Sequence, residues 1–230
     1  MEEFLIPFII IAIIIAVGIL SYYFNKKQTV LRQLSKFKAK SILQFRTNEP
    51  TKLTGKVLHV HEPFVAPFSR RKCVAFEFKI QQKKSSGKNS YWKTLVEKQD
   101  IQDFFVEQNG EVVMVKPVKF PKNFMSYFVD DKKVSSGFLN DPTPEFDALL
   151  QQFDVASENF FGFNKTLRYT ERILEVGETV TVGGIAKWKA VDATISGYNY
   201  SKIATLESTD KQKLIITDLP SAKLERRSRL

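Results

Sequence analysis

The stretch FLIPFIIIAIIIAVGILSYYF, residues 4–24, decides the architecture of this chain. It carries no charged side chain, and at about 1.5 Å per residue a helix of this length spans roughly 30 Å, the thickness of a bilayer core. Tyr22, Tyr23 and Phe24 close the run where the aromatic belt of a membrane protein would lie. The pattern predicts a transmembrane helix, and we assign residues 1–25 to a membrane anchor.

A cleaved signal peptide is the alternative for this run. Against it, Glu2 and Glu3 replace the basic residues of a signal peptide, and no small-residue cleavage site follows. The first acidic residue after the run is Glu49, and it is preceded by Lys26, Lys27, Arg32, Lys36, Lys38, Lys40 and Arg46. This bias predicts a single-pass membrane protein with its short N-terminus outside and its C-terminal domain in the cytoplasm.

Residues 26–49 predict a basic amphipathic helix beside the membrane, with Val30, Leu34 and Phe37 on its apolar face. Such a helix lies in the membrane interface or packs onto the domain, and we expect packing. The candidate contacts for anionic lipid headgroups are Lys26, Lys27, Arg32, Lys36 and Lys40. A flank that only fixes the topology is the alternative.

From residue 50 onward the pattern changes to short alternating runs that predict β-strands. Residues 73–80, CVAFEFKI, place their apolar side chains on one face, and Asn109-Gly110 is typical of a hairpin turn. Thr143 is the expected cap of one short helix. The predicted fold is mainly β (α+β), with a barrel-like or sandwich-like soluble domain over 50–218. This domain is one unit or two lobes, 50–118 and 160–218, joined by a loop and the short helix; a charged tail occupies 219–230.

Three segments carry spaced motifs. Residues 54–78, TGKVLHVHEPFVAPFSRRKCVAFEF, contain Gly-x-Val, Ala-Pro-x-Ser and Cys-Val; residues 104–117, FFVEQNGEVVMVKP, form a hairpin pattern; residues 170–186, TERILEVGETVTVGGIA, contain Glu-x-x-Leu-x-x-Gly-x-x-Val-x-x-x-Gly. In this order, after an N-terminal apolar run, they resemble the GIDE domain family over residues 50–218. The matching positions are Gly55, Val57, Ala66, Pro67, Ser69, Cys73, Glu171, Leu174, Gly177, Val180 and Gly184.

The best-known proteins of that family look like mitochondrial ubiquitin ligases with a second membrane span and a C-terminal RING finger. A RING finger needs eight Cys or His ligands for two zinc ions, whereas this sequence offers only Cys73, His59 and His61. No second apolar span follows. The shorter form resembles the prokaryotic members, which implies a bacterial inner membrane and a sensing or interaction role without ligase activity.

Few residues are candidates for chemistry. His59 and His61 point to one face of a predicted strand and are weak candidates for metal ligands, since a site needs a third ligand that the Cys and His content does not supply. Cys73 begins an apolar strand, which is typical of a buried, inert thiol. We expect no catalytic residue, no cofactor and no nucleic-acid partner.

The sequence therefore predicts a non-catalytic, membrane-anchored module for interaction or sensing, with a protein partner. The turn that carries Phe64, Val65 and Phe68 is the predicted partner surface, because apolar side chains on loops commonly bind. Covering of the core is the alternative for Phe64 and Phe68. Two other functions stay open: a component of a ubiquitin-ligase-like system that acts with a separate RING partner, and a receptor for a lipid headgroup or small ligand.

Overall fold

The computed structural model describes residues 2–137, 140–190 and 202–223, with the side chains of the first helix described from Ile10 onward. Most of the predicted tail, residues 224–230, lies outside the described residues. The helices are α1 (Glu2–Phe24), α2 (Lys26–Leu34), α3 (Pro144–Gln152) and α4 (Pro220–Lys223), and Ile42–Gln44 form a 3-10 turn. The strands are β1 (Lys38–Ala39), β2 (Glu49–His59), β3 (Phe64–Val65), β4 (Lys72–Ser86), β5 (Asn89–Ile101), β6 (Phe104–Gln108), β7 (Glu111–Lys116), β8 (Phe124–Tyr127), β9 (Lys132–Ser136), β10 (Leu167–Glu175), β11 (Thr179–Ala190), β12 (Lys202–Glu207) and β13 (Leu214–Thr217). The chain is mainly β, as the sequence predicts.

The apolar run of residues 4–24 lies within the single helix α1, whose described side chains are exposed. Among the residues that the structure describes, no single helix has the length and composition of a membrane span. The pair Ile10–Phe24 and Lys26–Leu34, bent by 56° at the break between them, qualifies together as a candidate span on length and composition alone. The break falls at Asn25, whose side-chain oxygen accepts a hydrogen bond from the backbone N–H of Lys27 and so begins α2.

The helix predicted for residues 26–49 is wrong beyond Leu34. Val30 and Leu34 of α2 pack with Phe37 against Ile215 and Leu219, which confirms the packing of this helix on the domain. The next apolar residues, Ile42 and Phe45, belong instead to the core of the main sheet. One straight helix cannot reach both apolar sites, so the chain turns into β1, which pairs in parallel with β2, and then into the 3-10 turn.

Five strands close into a barrel in the order β2-β6-β7-β12-β11, and β11 pairs back to β2. All the neighbouring pairs are antiparallel except β7 with β12, which run parallel. Numbered along the chain, the barrel strands follow the order 1-2-3-5-4-1, which is the order of an OB-type Greek-key barrel. The barrel core contains Leu53, Val57, Phe104, Val106, Val113, Val115, Val180, Val182, Ala204 and Leu206, and Leu174 of β10 packs with this cluster.

A second sheet lies beside the barrel, with the order β3-β4-β10-β9 and with β5 also paired to β4. Its inner face packs Phe78, Ile80 and Tyr169 against Phe146 and Leu150 of α3. The long hairpin of β4 and β5 turns at Gly87-Lys88, so residues 81–90, which look like a polar loop in the sequence, continue the strands almost to the tip.

The division into lobes at 50–118 and 160–218 is not followed by the sheets. The barrel takes β2, β6 and β7 from the first segment and β11 and β12 from the second, while the second sheet takes β4 and β10 from the same two segments. The hairpin at Asn109-Gly110 is confirmed, with positive φ angles at both residues. The cap at Thr143 is confirmed as well, because its hydroxyl accepts a hydrogen bond from the N–H of Phe146.

Two motif glycines allow close approach between strands. A Cβ atom at Gly55 would lie 2.2 Å from the carbonyl oxygen of Glu107, and one at Gly184 would lie 2.7 Å from Cδ1 of Leu214. Beside it, a Cβ atom at Gly183 would lie 2.8 Å from Cδ1 of Leu34, so this glycine makes room for α2 on the barrel. Gly177 differs from these three, since its φ of +89° requires glycine in the turn before β11.

We predict that Gly55→Ala destabilises the fold strongly, because the added methyl group meets backbone of β6 that cannot rotate away. Overpacking of this kind costs about 1–3 kcal/mol or more. The unfolding temperature of the full chain in mild detergent measures the effect. Gly137→Ala is the matched control, since among the described residues its Cβ would meet only the Thr166 hydroxyl, at 3.7 Å. Equal unfolding temperatures for the two variants would contradict the close approach.

Candidate partner-binding surface

The predicted partner surface around Phe64 and Phe68 is largely part of the core of the second sheet. The Phe64 ring packs edge-on against Phe76 with 5.5 Å between centroids, and the Phe68 ring lies 5.5 Å from Tyr169. Both side chains are half-buried against the cluster of the second sheet. Val65 is the exposed member of the group, at 53%. The alternative of core covering therefore describes Phe64 and Phe68.

The same turn is held by a buried carboxylate. The side chain of Glu171 is fully buried, and its oxygens accept hydrogen bonds from the backbone N–H groups of Phe68 at 2.9 Å and Ser69 at 3.1 Å. The hydroxyl of Tyr169 donates a third bond at 2.7 Å. Burial and this neighbouring carboxylate raise the pKa of Tyr169, so its phenol stays protonated as a donor.

These contacts explain why the motif residues lie where they do. Glu171 of β10 joins the Ala66-Pro67-Phe68-Ser69 turn, while Gly55 and Val57 of β2, Leu174, Val180 and Gly184 form or border the barrel core. Ala66 and Cys73 are buried in the second sheet. The motif positions therefore lie inside one sheet or the other, and their arrangement is that of structural residues.

The structure places the Cys73 thiol in the core and the two histidine candidates at the surface. Burial raises the pKa of the Cys73 thiol to about 12, which leaves it protonated and unreactive at neutral pH. His59 and His61 are both exposed. Within the described ranges, no group of three or more His, Cys, Asp or Glu side chains is arranged to hold a metal ion.

A loop that the sequence analysis did not single out carries three exposed phenylalanine side chains. The rings of Phe160, Phe161 and Phe163 are exposed at 98%, 78% and 54%. Phe160 and Phe161 meet edge to face with 5.6 Å between centroids. We call residues 157–165 the aromatic loop. Its sequence signal is the run Phe-Phe-Gly-Phe between two asparagines, with Glu158 and Lys165 as the nearest charges.

The backbone of the aromatic loop is tightly bonded although its tip is apolar. The side-chain oxygen of Asn159 accepts hydrogen bonds from the N–H groups of Phe161 at 2.9 Å and Phe163 at 3.1 Å. The Asn159 N–H donates to the Phe163 carbonyl at 2.9 Å, and Gly162 takes a φ of +76° at the turn. At the base, Lys165 donates to the Ala156 carbonyl and Asn164 to the Asp141 carboxylate. These hydrogen bonds thus fix the backbone of the aromatic loop while its phenylalanine rings remain exposed.

The chain segment that leads into the aromatic loop is acidic, and Lys165 at the base of the loop is basic. Residues 134–164 contain no Lys or Arg in a chain of net charge +10, and their acids are Asp141, Glu145, Asp147, Asp154 and Glu158. The predicted headgroup contacts are on other elements. Of these, Lys26 forms an ion pair with Glu77 at 3.4 Å and Lys40 with Glu49 at 2.6 Å. Arg32 donates to the Tyr23 carbonyl at 2.9 Å, and Lys27 and Lys36 are half-buried and exposed, respectively.

A comparison with protein-family models, with curated proteins and with solved structures found no match for this chain. The resemblance to the GIDE domain family consequently stays a sequence-based proposal.

We predict that Glu171→Gln destabilises the second sheet. One carboxylate oxygen becomes an amide NH2 group, which cannot accept a hydrogen bond from the backbone N–H groups of the turn. The loss of bonds to a buried charged acceptor costs about 3 kcal/mol, while Tyr169→Phe removes one donor and costs about 1 kcal/mol. Thermal unfolding measures both. Glu62→Gln, at an exposed position in the neighbouring connection between β2 and β3, is the control. A Glu171→Gln variant as stable as this control would refute the role of the carboxylate.

We also predict a pH-dependent effect at Glu178. Burial, with smaller contributions from Asp218, Asp131 and Glu175, raises its pKa from 4.5 to about 7. A carboxyl group with a raised pKa contributes stability below pH 4.5 that is lost as the pH rises through about 7. Glu178→Gln should therefore unfold a few degrees above the natural protein above pH 7, and the difference should disappear near pH 4.5. A difference that does not vary with pH would rule out this titration.

Proposed function

We propose that this chain is a non-catalytic, membrane-anchored interaction module that presents the aromatic loop to a protein partner. The observation that carries the proposal is the rigidly bonded loop with Phe160 and Phe161 at its exposed tip. An ordered backbone that exposes two neighbouring aromatic rings has no role in the core of the fold. Large exposed aromatic side chains on a fixed loop are typical of binding surfaces.

The anchor of the module is α1. Its described side chains are apolar and exposed, and it joins directly to α2. Because α2 packs on the domain through contacts of Val30 and Leu34 with Leu219, the segment that follows the anchor is fixed to the domain. The Lys and Arg bias after α1 supports a cytoplasmic domain. A GIDE-type domain of a bacterial inner membrane is the family assignment that we propose with this function.

The charge around the aromatic loop selects the partner. Five acids lie within residues 134–164, and the Lys165 ammonium at the base of the loop is bonded to the Ala156 carbonyl, so the net charge of this segment disfavours insertion into an anionic bilayer. A protein with an apolar pocket and a basic rim complements the surface in both respects. We therefore assign the loop to protein recognition and not to lipid binding.

We predict that a photo-crosslinking amino acid at position 161 gives a discrete protein adduct in native membranes. Phe120, on another loop and 92% exposed, is the matched control position, and no such adduct is expected there. Phe160→Ser should abolish the adduct without lowering the unfolding temperature, since its ring contributes little to the core. The double variant Asp154→Lys, Glu158→Lys should weaken the adduct, because the new lysines would repel the basic rim of the partner protein.

Adducts of the same pattern from positions 161 and 120 would contradict the proposal, as would an adduct that survives Phe160→Ser. Alkaline carbonate treatment of the same membranes checks the anchor independently. Release of the chain into the supernatant would refute the membrane-anchored part of the function.

A further inference from the structure

A second candidate binding surface lies where α1 meets the domain. There α1, α2, β1, β2 and α4 surround an open cleft of about 800 Å³. Its walls include the rings of Tyr22 and Tyr23 at the end of the apolar run, together with Leu31 of α2 and Ser221 of α4. In a membrane-anchored protein, this is the level of the lipid headgroups.

Three cations from three separate parts of the chain line this cleft: Arg32 from α2, Lys38 from β1 and Lys52 from β2. None of the described residues that line it is Asp or Glu. Elsewhere near the anchor, in contrast, Lys26 and Lys40 are matched with carboxylates. The lining of the cleft therefore concentrates positive charge, and Glu49, an acid that interacts with Lys38, lies outside the lining and pairs with Lys40.

Arg32 is fixed in place within the cleft. Its Nη1 donates to the Tyr23 carbonyl at 2.9 Å, and its guanidinium carbon lies 3.9 Å from the centre of the Tyr23 ring. A weaker contact of 3.4 Å joins Nη2 to the Thr29 hydroxyl. A guanidinium group has five N–H donors, so others are left for an anionic ligand, and its planar fork suits a phosphate group.

We propose that this cleft binds the phosphate group of an anionic membrane lipid through Arg32, Lys38 and Lys52. The inference rests on the proposed anchoring of α1 in a membrane. The hydroxyl of Ser221 is a further donor at the cleft, and the acyl chains would lie along the exposed apolar side chains of α1. Bound lipid would fix α1, α2 and the barrel edge against one another at the membrane surface.

The test uses the full chain in a neutral detergent, with its unfolding temperature as the readout. Dioleoylphosphatidylglycerol should raise that temperature by about 5 °C, since a ligand that binds only the folded state stabilises it. Dioleoylphosphatidylcholine at the same mole fraction, which has no net charge, should raise it much less. The triple variant Arg32→Gln, Lys38→Gln, Lys52→Gln should lose the rise caused by the anionic lipid.

The matched control variant is Lys84→Gln, Lys88→Gln, Lys93→Gln on the exposed hairpin of β4 and β5, which removes the same net charge. It should keep the full rise. If the Arg32 substitution itself disturbs the α1–α2 corner, the double variant Lys38→Gln, Lys52→Gln should still lose most of the rise. An equal loss in the hairpin variant would show attraction by net charge alone and would overturn the site.

Two further measurements of the unfolding temperature separate the remaining outcomes. A full rise with inorganic phosphate would assign the cleft to a free anion and overturn the lipid. A full rise with phosphatidylcholine would also overturn it. Retention of the chain in carbonate-treated membranes without any lipid-dependent rise would refute the cleft alone, whereas release from those membranes would refute the anchored function.

Discussion

The pairing of β2 with β11 is the contact on which the rest of the structure depends. It joins Glu49–Lys56 to Thr179–Ala186 in one antiparallel register and closes the barrel. Gly55 of β2 also lets the next barrel strand, β6, approach closely, because any side chain there would meet the carbonyl of Glu107. Gly183 of β11 accepts Leu34 of α2 on the outside of the same pair. A single strand pair thus sets both the barrel and the position of the segment that leads to the anchor.

Buried polar contacts hold the turn between β3 and β4 to β10 within the second sheet. Glu171 has no cation within its hydrogen-bonding set, and three donors from the turn and from Tyr169 satisfy its oxygens. A buried carboxylate is tolerated only when it is bonded in this way, so the donors and the acid depend on one another. Arg71 adds ion pairs of 2.6 Å to Asp131 and 2.8 Å to Glu175 at the same junction. The motif residues that suggest a family are therefore explained by folding, and interaction is left to other surfaces.

Charge is distributed so that two surfaces can serve different partners. The cations Arg32, Lys38 and Lys52 converge at the base of α1, while residues 134–164 carry acids without a single base. A basic surface beside an apolar helix favours anionic lipid, and an acidic surface around exposed aromatic rings favours a basic protein. The opposite charges also discourage the aromatic loop from binding to the membrane that we propose for α1.

The sequence by itself determined the features that depend on neighbouring residues. These are the single helix of the apolar run, the Asn109-Gly110 hairpin, the cap at Thr143 and the alternating strand at 73–80, and each follows from local periodicity or turn chemistry. Only the tertiary structure decided how far α2 extends, how the two sheets interleave, and that Phe64 and Phe68 are packed while Phe160 and Phe161 are exposed. Burial of a loop aromatic depends on whether a remote strand lies over it, as β10 brings Tyr169 to Phe68. The cleft has the same origin, since Lys52 joins Arg32 only because β2 folds back beside α2. Such long-range contacts leave no periodic pattern in the chain.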